Sequence, residues 1–238
     1  MKKIIISSFI FVMAFTGVLY ANDIYITQVG DTLDLDITQD GADNKVGTST
    51  TDATLNGDGM TFSITQTGSY NTIAAVIKGS TYTGTWAFTG SSNIVDMDCS
   101  SAAAGSCDTV TLNITNTGDS NSYEFDIGEV GDADNAVINF TTTGDNSIIN
   151  TTIDGQSAAL TVVMNNSASL ATTSAASNEG NAITTTQTGN GDSVGHTIAL
   201  DVTGGGGTID ITQSGVNDNI VDLTLSGDSF DVDIIQQD

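Results

Sequence analysis

Few side chains in this 238-residue sequence could do chemistry. There is one histidine, His196, in "SVGHTIAL", and no nucleophile elbow of the Gly-x-Ser-x-Gly kind is expected to accompany it. No phosphate-cradling glycine loop, His-Glu-x-x-His pair or zinc-type Cys/His spacing is present. An enzyme is therefore not expected. Two cysteines, Cys99 and Cys107, flank "SSAAAGS" and are expected to form one local disulfide in an oxidising compartment. "GADN" at 41–44, "GDADN" at 131–135 and "VNDN" at 216–219 gather oxygen ligands of the kind calcium takes. None follows the EF-hand loop or the glycine-rich nonapeptide of calcium-bound β-rolls. No cofactor and no specific metal site are expected, only weakly bound Ca2+ among other counterions.

What does recur is a set of amides and glycines. "ITQVG" at 26–30 and "ITQDG" at 37–41 begin 11 residues apart, and "ITQTG" at 64–68 and "ITQSG" at 211–215 repeat the phrase. Period-two alternation puts Ile24, Ile26 and Gln28 on one face of a strand. The glycine then permits a bend that other residues resist. An asparagine often follows three residues later: Gln39, Gly41, Asn44; Gln66, Gly68, Asn71; and, with Asn in place of Gln, Asn116, Gly118, Asn121. Gly90 and Asn93 keep the second half of the pattern, and Gln187 with Gly189 and Gln213 with Gly215 keep the first.

A two-stranded unit cannot hide its apolar face alone, but stacked units can. The expected fold is all-β: a β-solenoid (β-helix) of about 22–26-residue strand–turn–strand repeats. In such a stack equivalent residues lie above one another. A primary amide, with two donors and an acceptor, can then bond its copies above and below. The expected ladder residues are Gln28, Gln39, Asn44, Gln66, Asn71, Asn93, Asn116, Asn121, Gln187 and Gln213. The expected turn glycines are Gly30, Gly41, Gly68, Gly90, Gly118, Gly189 and Gly215. Two small-residue stretches, 99–107 and 164–181, read as loops projecting from the rod. Trp86, alternating with Phe88, reads as core.

Composition agrees with this reading. There is no proline to remove a ladder donor, and helix formers are scarce beside Thr, Ile and Val. Lys2, Lys3 and an apolar run at 4–20 read as a secretory signal peptide over 1–21, leaving 22–238 as one repeat domain with no transmembrane anchor. The chain is expected to be secreted, extracellular or at a cell surface. Its net charge of −25 argues against nucleic acid as a partner.

Gln-x-Gly-x-x-Asn between alternating apolar strands, as in "ITQDGADNKV" at 37–46, "ITQTGSYNTIAAV" at 64–76 and "ITNTGDSNSYEF" at 114–125, resembles the curlin repeat. Curlins are secreted bacterial subunits of curli, extracellular amyloid fibres used in adhesion and biofilm. The resemblance implies a structural or adhesive protein that passes through secretion machinery. It would self-associate into fibres, or join related curlin-like subunits, by strand-edge stacking. The alternative is a surface-displayed or virion-associated β-solenoid binding module that does not polymerise. In either case stacked acidic residues should make assembly or melting depend on salt.

Overall fold

The computed structural model describes residues 23–48, 50, 52–99, 109–127, 134–144, 146–153, 157–165, 168–174, 182–188, 196–203, 206–215 and 219–237. The expected signal peptide and Cys107 lie outside them. The regular structure of the described residues is strand throughout. In chain order the first strands are β1 (Asp23–Ile24), β2 (Thr27–Val29), β3 (Asp34–Asp40), β4 (Lys45–Val46), β5 (Ala53–Asn56), β6 (Met60–Thr67) and β7 (Thr72–Lys78). Next come β8 (Tyr82–Thr89), β9 (Ile94–Cys99), β10 (Thr111–Thr117), β11 (Ser122–Ile127), β12 (Val137–Thr143), β13 (Ser147–Ile153) and β14 (Ala159–Asn165). The last are β15 (Ala168–Ser174), β16 (Ala182–Thr188), β17 (His196–Thr203), β18 (Thr208–Ser214), β19 (Asn219–Ser226) and β20 (Asp231–Gln237).

The chain alternates between two parallel sheets. One is nine-stranded, in the order β3-β6-β8-β10-β12-β14-β16-β18-β20. The other is eleven-stranded and runs from β1 to β19, its first two layers each split into two short strands. Successive coils therefore stack, and the fold is a β-solenoid. The step between coils varies from 21 residues, where Ser147 lies beside Ala168, to 28, where Thr83 lies beside Thr111. That is wider than the expected 22–26, because extra residues leave the coil without disturbing its columns. Val46 pairs with Ile73 and Ala53 with Ala75, so the intervening chain bulges out. The bulge covers β7: Ala74 is buried, and a Cβ on Gly47 would lie 2.2 Å from the Ala74 carbonyl oxygen.

The core is the slot between the sheets. Alternation sends every second side chain into it, as in β6, where Met60, Phe62, Ile64 and Gln66 are buried. The aromatic side chains gather in the middle coils. Trp86 packs edge-on to Phe62 with ring centroids 6.1 Å apart, and its Nε1 donates to the Phe62 carbonyl at 3.1 Å. Gly84 leaves room for Tyr82 and Leu112, since a Cβ there would meet the Tyr82 hydroxyl at 2.6 Å and Leu112 at 2.8 Å. Tyr123 packs on Phe88, Phe125 and Phe140. Each such buried side chain contributes about 1.5–3 kcal/mol.

One expected loop is a strand. Within 164–181, Met164 and Asn165 complete β14, and Ala168–Ser174 forms β15, paired on both sides with β13 and β17. Its small residues give little alternation to read, but two neighbouring strands satisfy its backbone. Cys99, which ends β9, is disulfide-bonded, and Cys107 is the sequence's only other cysteine. Among the described residues no helix is long and apolar enough to cross a membrane.

Candidate functional site

The repeated phrases build two kinds of column. In the turns, Gly41, Gly68, Gly90, Gly118 and Gly144 stack, and each is followed two positions later by a residue with φ near 60°: Asp43, Tyr70, Ser92, Ser120 and Asn146. At Gly68, φ is +124° and a Cβ would sit 1.6 Å from the Gly41 carbonyl oxygen; at Gly90 the same contact to Gly68 is 1.8 Å. Glycine is needed there both for its dihedral and because the coil beneath occupies the side-chain position. Gly30 and Gly215 have the same left-handed φ, whereas Gly189 lies outside the described residues.

The asparagines after these glycines form a buried column, but not by amide-to-amide bonds. The backbone N–H of Asn44 donates to Asn71 Oδ1 (3.2 Å), that of Asn71 to Asn93 Oδ1 (3.1 Å), and that of Asn93 to Asn121 Oδ1 (2.8 Å). Each Nδ2 turns back to the glycine carbonyl three residues earlier, at 2.8–3.0 Å. Each of these asparagines thus clamps its own turn, and Asn71, Asn93 and Asn121 each also cap the backbone of the preceding coil.

Amide-to-amide bonds occur in the glutamine column of the nine-stranded sheet. Gln66 Nε2 donates to Gln39 Oε1 at 2.7 Å. At the other end, Gln213 Nε2 donates to Gln187 Oε1 at 2.7 Å and Gln236 Nε2 to Gln213 Oε1 at 2.8 Å. Between these ends the column changes chemistry: Phe88, Asn116, Thr142 and Met164 occupy it. Asn116 therefore bonds Thr142 Oγ1 (3.0 Å) rather than another amide.

Gln28 departs from expectation. "ITQVG" at 26–30 lies in the eleven-stranded sheet and "ITQDG" at 37–41 in the nine-stranded one, so copies 11 residues apart face each other across the slot. Gln28 stacks on Leu55 and donates to the Gly30 carbonyl of its own turn. Gln236 was missed, although "DVDIIQQ" copies "DLDITQD" and carries the signal.

A second polar feature lies under the 47–52 bulge. Asp52, Asp96, Asp98 and Asp126 line a cavity of about 220 Å3 on the outer side of the eleven-stranded sheet. Partial burial, then repulsion from Asp52, Asp126 and Asp98, pushes the Asp96 carboxyl up. Among the described residues no group of three or more His, Cys, Asp or Glu is placed to hold a metal ion. Asp58 is the opposite case: the Ser80 backbone N–H and hydroxyl bond it and hold its carboxyl below the usual range. His196 opens β17, and, contrary to the expectation that no Gly-x-Ser-x-Gly stretch accompanies it, the residues before it, "GDSVG" at 191–195, have that spacing. They lie outside the described residues and precede a strand, whereas a nucleophile elbow leads into a helix.

No protein family, curated protein or solved structure matches the chain. Functional inference therefore rests on the columns and on the two ends at which they stop.

Proposed function

We propose that this chain is an exported structural protein of curlin-like kind, which joins extracellular fibres by adding one copy to the end of another. The observation that carries the reading is the match between the two terminal strands of the nine-stranded sheet. β3 is "DLDITQD" and β20 is "DVDIIQQ". Each has one strand neighbour among the described strands. Stacked in the register used inside the molecule, β20 would set Val232 on Leu35, Ile234 on Ile37 and Gln236 on Gln39. Two apolar columns and the glutamine ladder would run on without a break. Ile234 and Ile235 are 45% and 49% exposed, so a second copy would remove apolar surface from water. Unpaired strand edges of this kind are templates for another chain.

The same register sets Asp231 on Asp34 and Asp233 on Asp36. At a strand spacing of about 4.8 Å, each pair costs on the order of 1 kcal/mol in water. This repulsion favours the second reading, a non-polymerising surface module, at low ionic strength. The test is incubation of the full chain at low and high salt, followed by fibre diffraction. Fibres with a reflection at about 4.7–4.8 Å are expected at high salt. The double variant Asp231→Asn, Asp233→Asn should assemble without added salt, and Ile234→Lys should not assemble. A parent chain that stays monomeric at high salt sinks the fibre reading and leaves the binding module.

A further inference from the structure

The acidic residues are unevenly placed. The chain has 29 of them, yet six consecutive strands of the nine-stranded sheet, β6, β8, β10, β12, β14 and β16, contain no charged residue at all. Their outward positions are mostly threonine. Thr65 and Thr67 on β6, Thr115 and Thr117 on β10, and Thr141 and Thr143 on β12 form Thr-x-Thr ranks. The register sets Thr67, Thr89, Thr117 and Thr143 in one column and Thr65, Thr115 and Thr141 in the other, where Ala87 of β8 stands between Thr65 and Thr115; on β14 the two positions are Val163 and Asn165. Among the described residues, no intramolecular hydrogen bond engages the hydroxyls of Thr65, Thr67, Thr115, Thr117 or Thr141. On the opposite sheet the outer face carries Asp96, Asp98, Glu124 and Asp126.

We propose that the threonine face of the nine-stranded sheet binds ice. The face lacks what other partners need. A protein partner is anchored by exposed aromatic or arginine side chains, and every aromatic of these six strands is buried. A sugar chain stacks on the same missing rings. Nucleic acid and anionic lipid require positive charge. What remains is a neutral, polar, two-dimensional array. Its repeats are fixed by the sheet: about 4.8 Å between coils and about 6.6 Å between alternate residues of a strand. The first is near the shorter repeat of water oxygens in hexagonal ice, and the second falls somewhat short of the longer one. Threonine suits such a surface. Its methyl orders neighbouring water, its hydroxyl anchors that water, and its branched Cβ holds both in one rotamer. A rigid array gives up little freedom on docking. Ice cannot adapt its shape to a protein, so regularity in two directions decides binding.

The experiment is slow freezing of a solution of the full chain, with protein measured in the ice and in the remaining liquid. The parent should be enriched in ice several-fold over a globular control protein. Thr65→Tyr, Thr115→Tyr, Thr141→Tyr together should return that ratio to the control value. Ser122→Tyr with Asn150→Tyr, at exposed positions on the other sheet, should leave it unchanged. Circular dichroism and the melting temperature show that each variant folds. If the triple variant does not, single Thr115→Lys, at an exposed position, replaces it and should lower the ratio. The proposal is overturned if the parent is excluded from ice like the control, or if the face variants partition as the parent does. It is equally overturned if those variants alter only sedimentation of the chain or its retention on cellulose powder, which would give the face to a second copy or to a polysaccharide.

Discussion

The ends and the middle of the stack solve the same packing problem differently. At the glutamine column, the end coils use amides: Gln39 with Gln66, and Gln187 with Gln213 and Gln236. The middle coils put Phe88 and Met164 there, and Phe88 packs on Tyr123, which in turn packs on Phe140. A buried amide bond is worth about 0.5–1.5 kcal/mol net, whereas a buried aromatic contributes about 1.5–3 kcal/mol. The comparison teaches that stability and specificity are divided. The middle holds the rod together, and the ends carry the repeating chemistry that an added copy would have to match.

The sharpest way to break that contrast is Trp86→Ala. It should cost about 3–5 kcal/mol by leaving a void beside Phe62 and Tyr82, read as a lower urea midpoint. A cost below 1 kcal/mol would mean that the middle coils are not the stable part. Gln213→Leu should cost less, about 1–3 kcal/mol, because it removes the bonds that the amides of Gln187 and Gln236 make with it. It should also slow end-to-end assembly, which Trp86→Ala should affect only through overall stability.

The smallest effect is electrostatic and lies in the middle. The Asp96 carboxyl is raised in the folded state, so its charged form works against folding. Lowering the pH through its titration should therefore raise stability. Asp58, held low by Ser80, acts in the opposite sense: it favours folding at neutral pH and loses that contribution as acid protonates it. Asp96→Asn should raise the melting temperature at neutral pH and reduce the gain on mild acidification. An unchanged pH profile would show that the cavity under the bulge is fully screened.

The solenoid was legible because glycine and asparagine sit at fixed separations, and only a stack makes that spacing useful. Sheet membership was not, since "ITQVG" and "ITQDG" look alike but enter the core from opposite sides. Gln28 therefore resembles Gln39 in sequence yet stacks beside Leu55. The bonding of the asparagine column was hidden for a related reason. An amide side chain does not announce whether it will meet another amide or the neighbouring coil's backbone. β15 looks like loop in sequence because "ASLATTS" is made of small residues, whose strand conformation comes from β13 and β17 rather than from local preference.

The glycine column has a consequence for growth. With the carbonyl of one coil seated where the next would place a side chain, the gap between coils is set by backbone contact alone. The rod is graduated like a ruler. It can be lengthened by whole divisions, through duplication of a complete unit, while stray residues are shed to the rim as they are between Val46 and Ala53.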